Sequence, residues 1–313
     1  MNNNNASTTT LSFSNSFLKP VILDWLGIGI SIIAICKMTF MILLIFARRQ
    51  LIKPKERVLF LLSLNMFMNV LIFACFTLNM FISMLLGHMN PDRTDLHDNT
   101  LRCRLKIYVS TIALISALYS NTLQALHRLF RIVYHHRPFF YRNIYLYMFG
   151  IVVEIHLGAL LQLPVLLPGH YDYEDYHCQV YLTNWRGILI GASCVWLPPV
   201  ILTIIIYVCT VSFIRRNLSK FTMRQKKRIK RDFIVIRRIL WLVVFIILFG
   251  TPACSTPIVY HLFGYIGWWA NHITWLTFIS SFTGMTVVHT YYAPHLHVLL
   301  AKSFNCRKLE TMV

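Results

Sequence analysis

Apolar residues dominate seven stretches of the chain, at 21–47, 58–86, 105–133, 144–167, 187–214, 233–263 and 270–297. An α-helix rises about 1.5 Å per residue, so roughly 20 apolar residues cross the hydrocarbon core of a bilayer. Every stretch is longer than that, and each is predicted to be a spanning helix. The third and seventh are the most polar, rich in Ser, Thr, Asn, Tyr and His. Lipid offers such groups no hydrogen-bond partner, so these two helices are predicted to turn their polar residues toward other helices or a cavity.

Composition agrees with the pattern. The 313 residues are 57% hydrophobic and only 13% charged, where a soluble domain is nearer a quarter charged. Mean hydropathy is +0.58. The formal net charge of +19 would suit nucleic acid, but it sits in short blocks between spanning stretches, so a nucleic-acid partner is not expected. The expected surroundings are a lipid bilayer. The segment from Arg215 to Arg238 alone holds eleven of the 30 Lys and Arg. Further basic residues cluster after the first stretch (Arg48, Arg49, Lys53, Lys55, Arg57), after the third (Arg131, Arg137, Arg142) and in the tail (Lys302, Arg307, Lys308). The opposite segments hold only Lys19, Arg93, Arg102, Arg104, Lys106 and Arg186, together with the acids Asp92, Asp95, Asp98, Asp172, Glu174 and Asp175. Cytoplasmic loops concentrate Lys and Arg, so the N-terminus is predicted outside, in a multi-pass membrane protein. The polar start lacks the basic, then apolar, pattern of a cleavable signal. It contains the sequon Asn5-Ala6-Ser7, a candidate for glycan. Three parts follow: an external tail over 1–20, a helical domain over 21–297 and a cytoplasmic end over 298–313.

Eight cysteines are present. Cys36, Cys75, Cys194, Cys209 and Cys254 fall in spans and read as packing residues. Cys103 and Cys178 fall outside, where disulfides persist, and would tie the top of the third helix to the loop "PGHYDYEDYHCQVYLTNW". Cys306, beside basic residues in the inner tail, reads equally as a palmitoylation site or a free thiol.

The end of the third stretch, "HRLFRIVYHHRPF", resembles the DRY region of rhodopsin-like (class A) G-protein-coupled receptors. In that family a Cys opens helix three and an Arg closes it, at the separation of Cys103 and Arg128. Helix four carries Pro164, with Glu154 in place of the usual Trp. Helix five keeps Pro199 and Tyr207 at the family spacing. Helix six reads "FGTPACSTP", with Pro252 as kink proline and Gly250 where the Trp of CWxP would stand. Helix seven reads "APHLHVLLAKSF" and resembles NPxxY: Pro294 is kept, Ala293 replaces Asn and His297 replaces Tyr, while Phe304 matches an amphipathic eighth helix. The resemblance covers Cys36 to Lys308. It implies an all-α membrane protein, a seven-transmembrane helix bundle with a short eighth helix.

The resemblance also implies roles. Arg128 would pair with Asp232 across helices three and six at rest, and be released to a heterotrimeric G protein when helix six swings outward. Tyr207, Pro252, Pro294 and His297 belong to the same switch. His127 stands where an acid usually does; it reads first as a tolerated substitution, and otherwise as a titrating imidazole that would shift basal activity with cytosolic pH. Helix two carries Asn65 and Asn69 but not the acid that helps the family hold sodium. Lys37, in mid-membrane, would exclude that ion and is expected to hydrogen-bond Asn65 or Asn69. Glu154 is expected to be protonated or bonded to helix two or three, not to Lys37.

For the ligand, an extracellular small molecule or peptide, the inward candidates are Ser110, Thr111, Leu114, His261, His272 and Trp275. Ser110 stands where amine receptors have Asp, and Val287 where opsins have their retinal lysine, which disfavours both classes. The acidic outer segments would attract a cation. Six external histidines (His88, His97, His170, His177, His261, His272) could titrate together, but no pair has the spacing of metal ligands, so no metal site is expected. No cofactor is implied, and with neither HExxH nor GxSxG the chain does not read as an enzyme. The expected function is a G-protein-coupled receptor. The alternatives are a transporter or channel that uses Lys37 and Glu154, and a receptor fold that has lost coupling and serves as a scaffold.

Overall fold

The computed structural model describes residues 6–47, 50, 56–90, 100–134, 137, 139–167, 171–174, 176–180, 196–217, 244, 247–248, 250–251, 255–256, 258–265, 267, 269–292 and 296, with the backbone alone for 6–18. Helices α1 (Ala6–Ala47), α2 (Arg57–Met89) and α3 (Thr100–Val133) come first. A single turn, α4 (Phe139–Arg142), leads into α5 (Ile144–Leu166). Two short strands follow, β1 (Tyr171–Glu174) and β2 (His177–Val180), then α6 (Leu197–Asn217) and α7 (Trp269–Tyr292). The first four predicted spans correspond to α1, α2, α3 and α5, the fifth to α6 and the seventh to α7. Within the predicted sixth span, every described residue is helical.

Among the described residues, four helical segments are long and apolar enough to cross a membrane: Lys19–Ala47, Arg57–Met89, Ile144–Leu166 and Leu197–Arg216. These are features of a helical membrane protein. Helices α3 and α7 fall short of that apolarity because their Ser, Thr, Asn, Gln and His are so numerous. Those residues point inward, as predicted: Ser110, Ser116, Ser120, Asn121, Thr122 and Gln124 of α3 are buried, as are His272, Ser281, Thr286, His289 and Thr290 of α7. The exterior is the reverse, with Ile33, Leu43, Phe149, Leu160, Ile205 and Val208 exposed. Cys36, Cys75 and Cys209, expected as packing residues, also lie exposed. A thiol is apolar enough to sit on such a surface.

Helix α3 is the hub, packed against α2, α5, α6 and both strands, while α1 packs on α2 and α7. The main core joins Met38 and Met41 of α1, Phe67 and Phe73 of α2, Ile115 and Leu118 of α3, and Ile279 and Phe282 of α7. Phe73 and Phe282 meet with ring centroids 5.4 Å apart.

Polar bonds cross this core at every level. Thr122 of α3 meets Thr203 of α6 at 2.8 Å and donates to the carbonyl of Pro199 at 3.2 Å. Ser63 of α2 lies 3.0 Å from Nε2 of His289 in α7. Lys37 was expected to reach Asn65 or Asn69; instead its Nζ donates to Oγ1 of Thr286 in α7 at 3.0 Å. Glu154 bonds to helix two, where Nδ2 of Asn65 donates to its Oε1. The same Asn65 nitrogen donates to Ser120 of α3 at 3.1 Å, and Asn69 donates to Oδ1 of Asn65 at 3.3 Å. Three helices thus meet at one amide.

Removing one partner of a buried bond costs more than removing both. Asn65→Ala should lower the stability of the purified protein by about 1–3 kcal/mol, read by thermal melting in nanodiscs. Asn65→Ala/Glu154→Leu should recover most of that loss. Equal melting of wild type and Asn65→Ala would show that this bond carries no weight.

Candidate functional site

Cys103, in the first turn of α3, is joined by a disulfide to Cys178 of β2, 75 residues later. Closing so long a loop stabilises a fold by about 4 kcal/mol through the unfolded chain. It also fixes the strand pair across the end of the bundle. The strands are antiparallel, from Tyr171 opposite Val180 to Glu174 opposite His177. Tyr171 is buried, and its hydroxyl donates to Gln162 of α5 at 2.7 Å. Burial pushes its phenol up to about 12, so it remains a neutral donor. Arg104 of α3 donates to the carbonyl of Tyr171 at 3.2 Å. The all-α expectation missed this hairpin, whose strands are only four residues long and gain stability from the disulfide and α3.

The hairpin turns at Tyr176, whose φ of 62° lies in the left-handed region. That conformation is costly for a residue with a Cβ and persists where packing enforces it. The enforcement is visible: the Tyr176 ring meets His88 edge-on at 5.4 Å and lies over Gly87, where any Cβ would collide with it. Glycine at 87 is what lets the hairpin approach α2.

Beneath the hairpin is a cavity of about 230 Å³ between α2, α3 and α7. Its walls include Phe76, Thr77 and Ser83 of α2, Arg102, Lys106 and Ser110 of α3, and Trp275 of α7, under Tyr173, Tyr176 and His177. The described lining holds two cationic side chains and no carboxylate.

Of the six expected ligand residues, Ser110 and Trp275 line the cavity. Thr111 donates to the carbonyl of Ile107 within its own helix at 2.7 Å. Leu114 is buried in the main core. His261 is exposed, with its ring 5.7 Å from that of Tyr260. His272 faces Asp24 of α1, Nε2 to Oδ1, at 3.2 Å. Arg102, Lys106 and Tyr176 went unforeseen as lining. The basic pair reads as helix-flanking charge, and a loop tyrosine gives no hint of where its ring will fold.

At the opposite end of α3, Arg128 is half-buried, and it is an electrostatic neighbour of Tyr207. Tyr207 is fully buried in a cluster with Ala125 and Ile132 of α3 and Ile206 and Ile214 of α6. His127 is buried too, at 3% exposure, with its ring edge-on to Tyr147 at 5.2 Å. That shielding from water does not fit the expected sensor of cytosolic pH. Gly250 is covered by the indole of Trp196, so closely that a Cβ would overlap it. An aromatic ring from the start of α6 thus fills the space over the helix-six glycine. Asn5, Asp232, Pro252, Pro294, His297 and Cys306 lie outside the described residues.

No protein-family model matches the chain, and no curated protein matches it.

If the disulfide positions the hairpin, Cys178→Ser should speed amide exchange across 171–180 at least tenfold, measured by hydrogen–deuterium exchange. Exchange in α5 should be unaffected. Unchanged protection of the hairpin would mean that Tyr171 and Arg104 suffice to hold it.

Proposed function

We propose that the chain is a divergent rhodopsin-like receptor of the plasma membrane. Seven spans run from an external N-terminus, and the protein signals to a heterotrimeric G protein through outward motion of the sixth. The observation that carries this reading is the double use of α3. One end roofs a ligand-sized cavity with a disulfide-held hairpin, and the other packs Arg128 beside a buried Tyr207 on α6. Cys103 and Arg128 are 25 residues apart, about 38 Å of helix, which is enough to join the two faces of a membrane. A rearrangement of side chains in the cavity can therefore bias contacts at the other end through one rigid element.

The cavity walls favour a particular ligand. Arg102 and Lys106 supply positive charge, Ser83 and Ser110 supply hydroxyls, and Phe76 and Trp275 supply flat apolar faces. A small organic molecule with an apolar or aromatic body and hydrogen-bonding groups meets these walls. Lys37 and Glu154 are bonded to Thr286 and Asn65. These bonds give both residues a structural use, and weigh against the transporter.

The direct test is ligand-free recruitment of engineered G-protein α subunits in cells at matched surface expression. Asp232→Ala should raise recruitment, and adding Arg128→Ala should abolish the rise. Absence of recruitment by any variant would move the reading to a non-coupling scaffold. Agonists found in a library of small organic molecules should lose at least tenfold in potency in Ser110→Ala or Trp275→Ala. Agonists that act equally on wild type and both variants would place the ligand outside this cavity.

A further inference from the structure

Three side chains from three helices converge beside the cavity. Oδ2 of Asp24 in α1 lies 2.8 Å from Nδ1 of His88 in α2, and its Oδ1 lies 3.2 Å from Nε2 of His272 in α7. One donor atom from each of the three falls within 4.8 Å of the others. The two imidazole rings sit 5.5 Å apart, tilted by 32°. We propose that Asp24, His88 and His272 form a binding site for a transition-metal dication of the zinc class.

The chemistry of the donors comes first. Two imidazoles and one carboxylate are an open zinc set, which leaves a fourth position for water or an exogenous ligand. Donors about 2.0–2.1 Å from a tetrahedral zinc stand roughly 3.3 Å from one another. The two nitrogens lie against different oxygens of Asp24, and one donor from each residue is within 4.8 Å of the others, so side-chain rotation is enough to bring the three to that spacing.

Burial is the second point. Asp24 is completely buried, and His272 nearly so. A carboxylate in such a place needs compensating charge. Protonated imidazoles or a dication would supply that charge, and the zinc-loading test below separates the two. The third point is direction. His88 presents Nδ1 to Oδ2 at 2.8 Å and His272 presents Nε2 to Oδ1 at 3.2 Å, so both rings turn a nitrogen toward the same carboxylate. For metal, His88 would carry its proton on Nε2 and present the Nδ1 lone pair, while His272 would present Nε2.

Sequence spacing concealed this trio. Asp24, His88 and His272 lie on three separate spans, and no local metal motif covers such a set. The trio lies next to the cavity, because the Tyr176 ring that packs on His88 also lines the cavity wall.

The test uses the full-length protein in detergent micelles, stripped with a chelator, loaded with zinc chloride, desalted and assayed by elemental analysis. Wild type should retain one zinc per chain and melt at a higher temperature with zinc than without. His88→Ala and His272→Ala should each bind at least tenfold more weakly and lose the zinc-dependent melting shift. A variant with His97, His170 and His261 all changed to Gln should bind as wild type does. To separate lost ligation from lost folding, His88→Cys should bind cobalt(II) with a thiolate-to-metal absorption band that wild type lacks. Zinc retained equally by wild type, His88→Ala and His272→Ala would overturn the proposal, as would no retention by wild type. None of these readouts depends on signalling, so failure of the receptor reading would leave the result intact.

Discussion

A polar group inside this protein has nowhere to turn except to another helix. The exterior of α1, α5 and α6 carries many exposed large apolar side chains, and in hydrocarbon an unmatched amide or hydroxyl costs several kcal/mol. The polar residues of α3 and α7 are therefore not scattered defects but the contacts that fix helix against helix. Asn65 joins α2 to α3 and α5, Lys37 joins α1 to α7, and Thr122 joins α3 to α6. Apolar packing between helices is weakly specific when lipid is equally apolar. These bonds supply the specificity.

The same constraint builds the functional end. The disulfide sets the hairpin over α3, and the hairpin in turn closes a space whose polar walls could not face lipid. Arg102 and Lys106 lie near the end of α3, where long side chains reach water or a ligand. Asp24 is the extreme case, an acid in the first predicted span held between two imidazoles. At the far end, burial of His127 and Tyr207 around α3 and α6 leaves Arg128 at the margin of a packed cluster. A rigid central helix with different chemistry at its two ends is the physical content of the receptor reading.

Much of this was legible in the sequence, because hydrophobic length and periodicity are local. The extents of α2, α5 and α7 agree with the predicted spans to within five residues at each end. The inward turn of polar residues on α3 and α7 followed from the solvent alone. Glu154 bonding to helix two was within reach for the same reason. What depended on distant parts of the chain was not legible. Lys37 chose Thr286 over Asn65 and Asn69, a choice between neighbours at similar depth that hydropathy cannot rank. The hairpin is brought about by a distant cysteine and by α3, and its strands are too short to signal themselves. Convergence of Asp24, His88 and His272 depends on the rotation of three helices about their axes, and one residue of rotation moves a side chain by about 100°. Trp196 over Gly250 shows the same limit, since the ring and the gap it fills belong to different spans.

The receptor reading depends on an odd number of spans with α3's hairpin end outside. The most direct test places an epitope tag at each terminus and stains cells before and after permeabilisation. Staining of the N-terminal tag on intact cells, with the C-terminal tag visible only after permeabilisation, is the predicted result. Both tags on the same side would mean an even number of spans, and would contradict the seven-helix account.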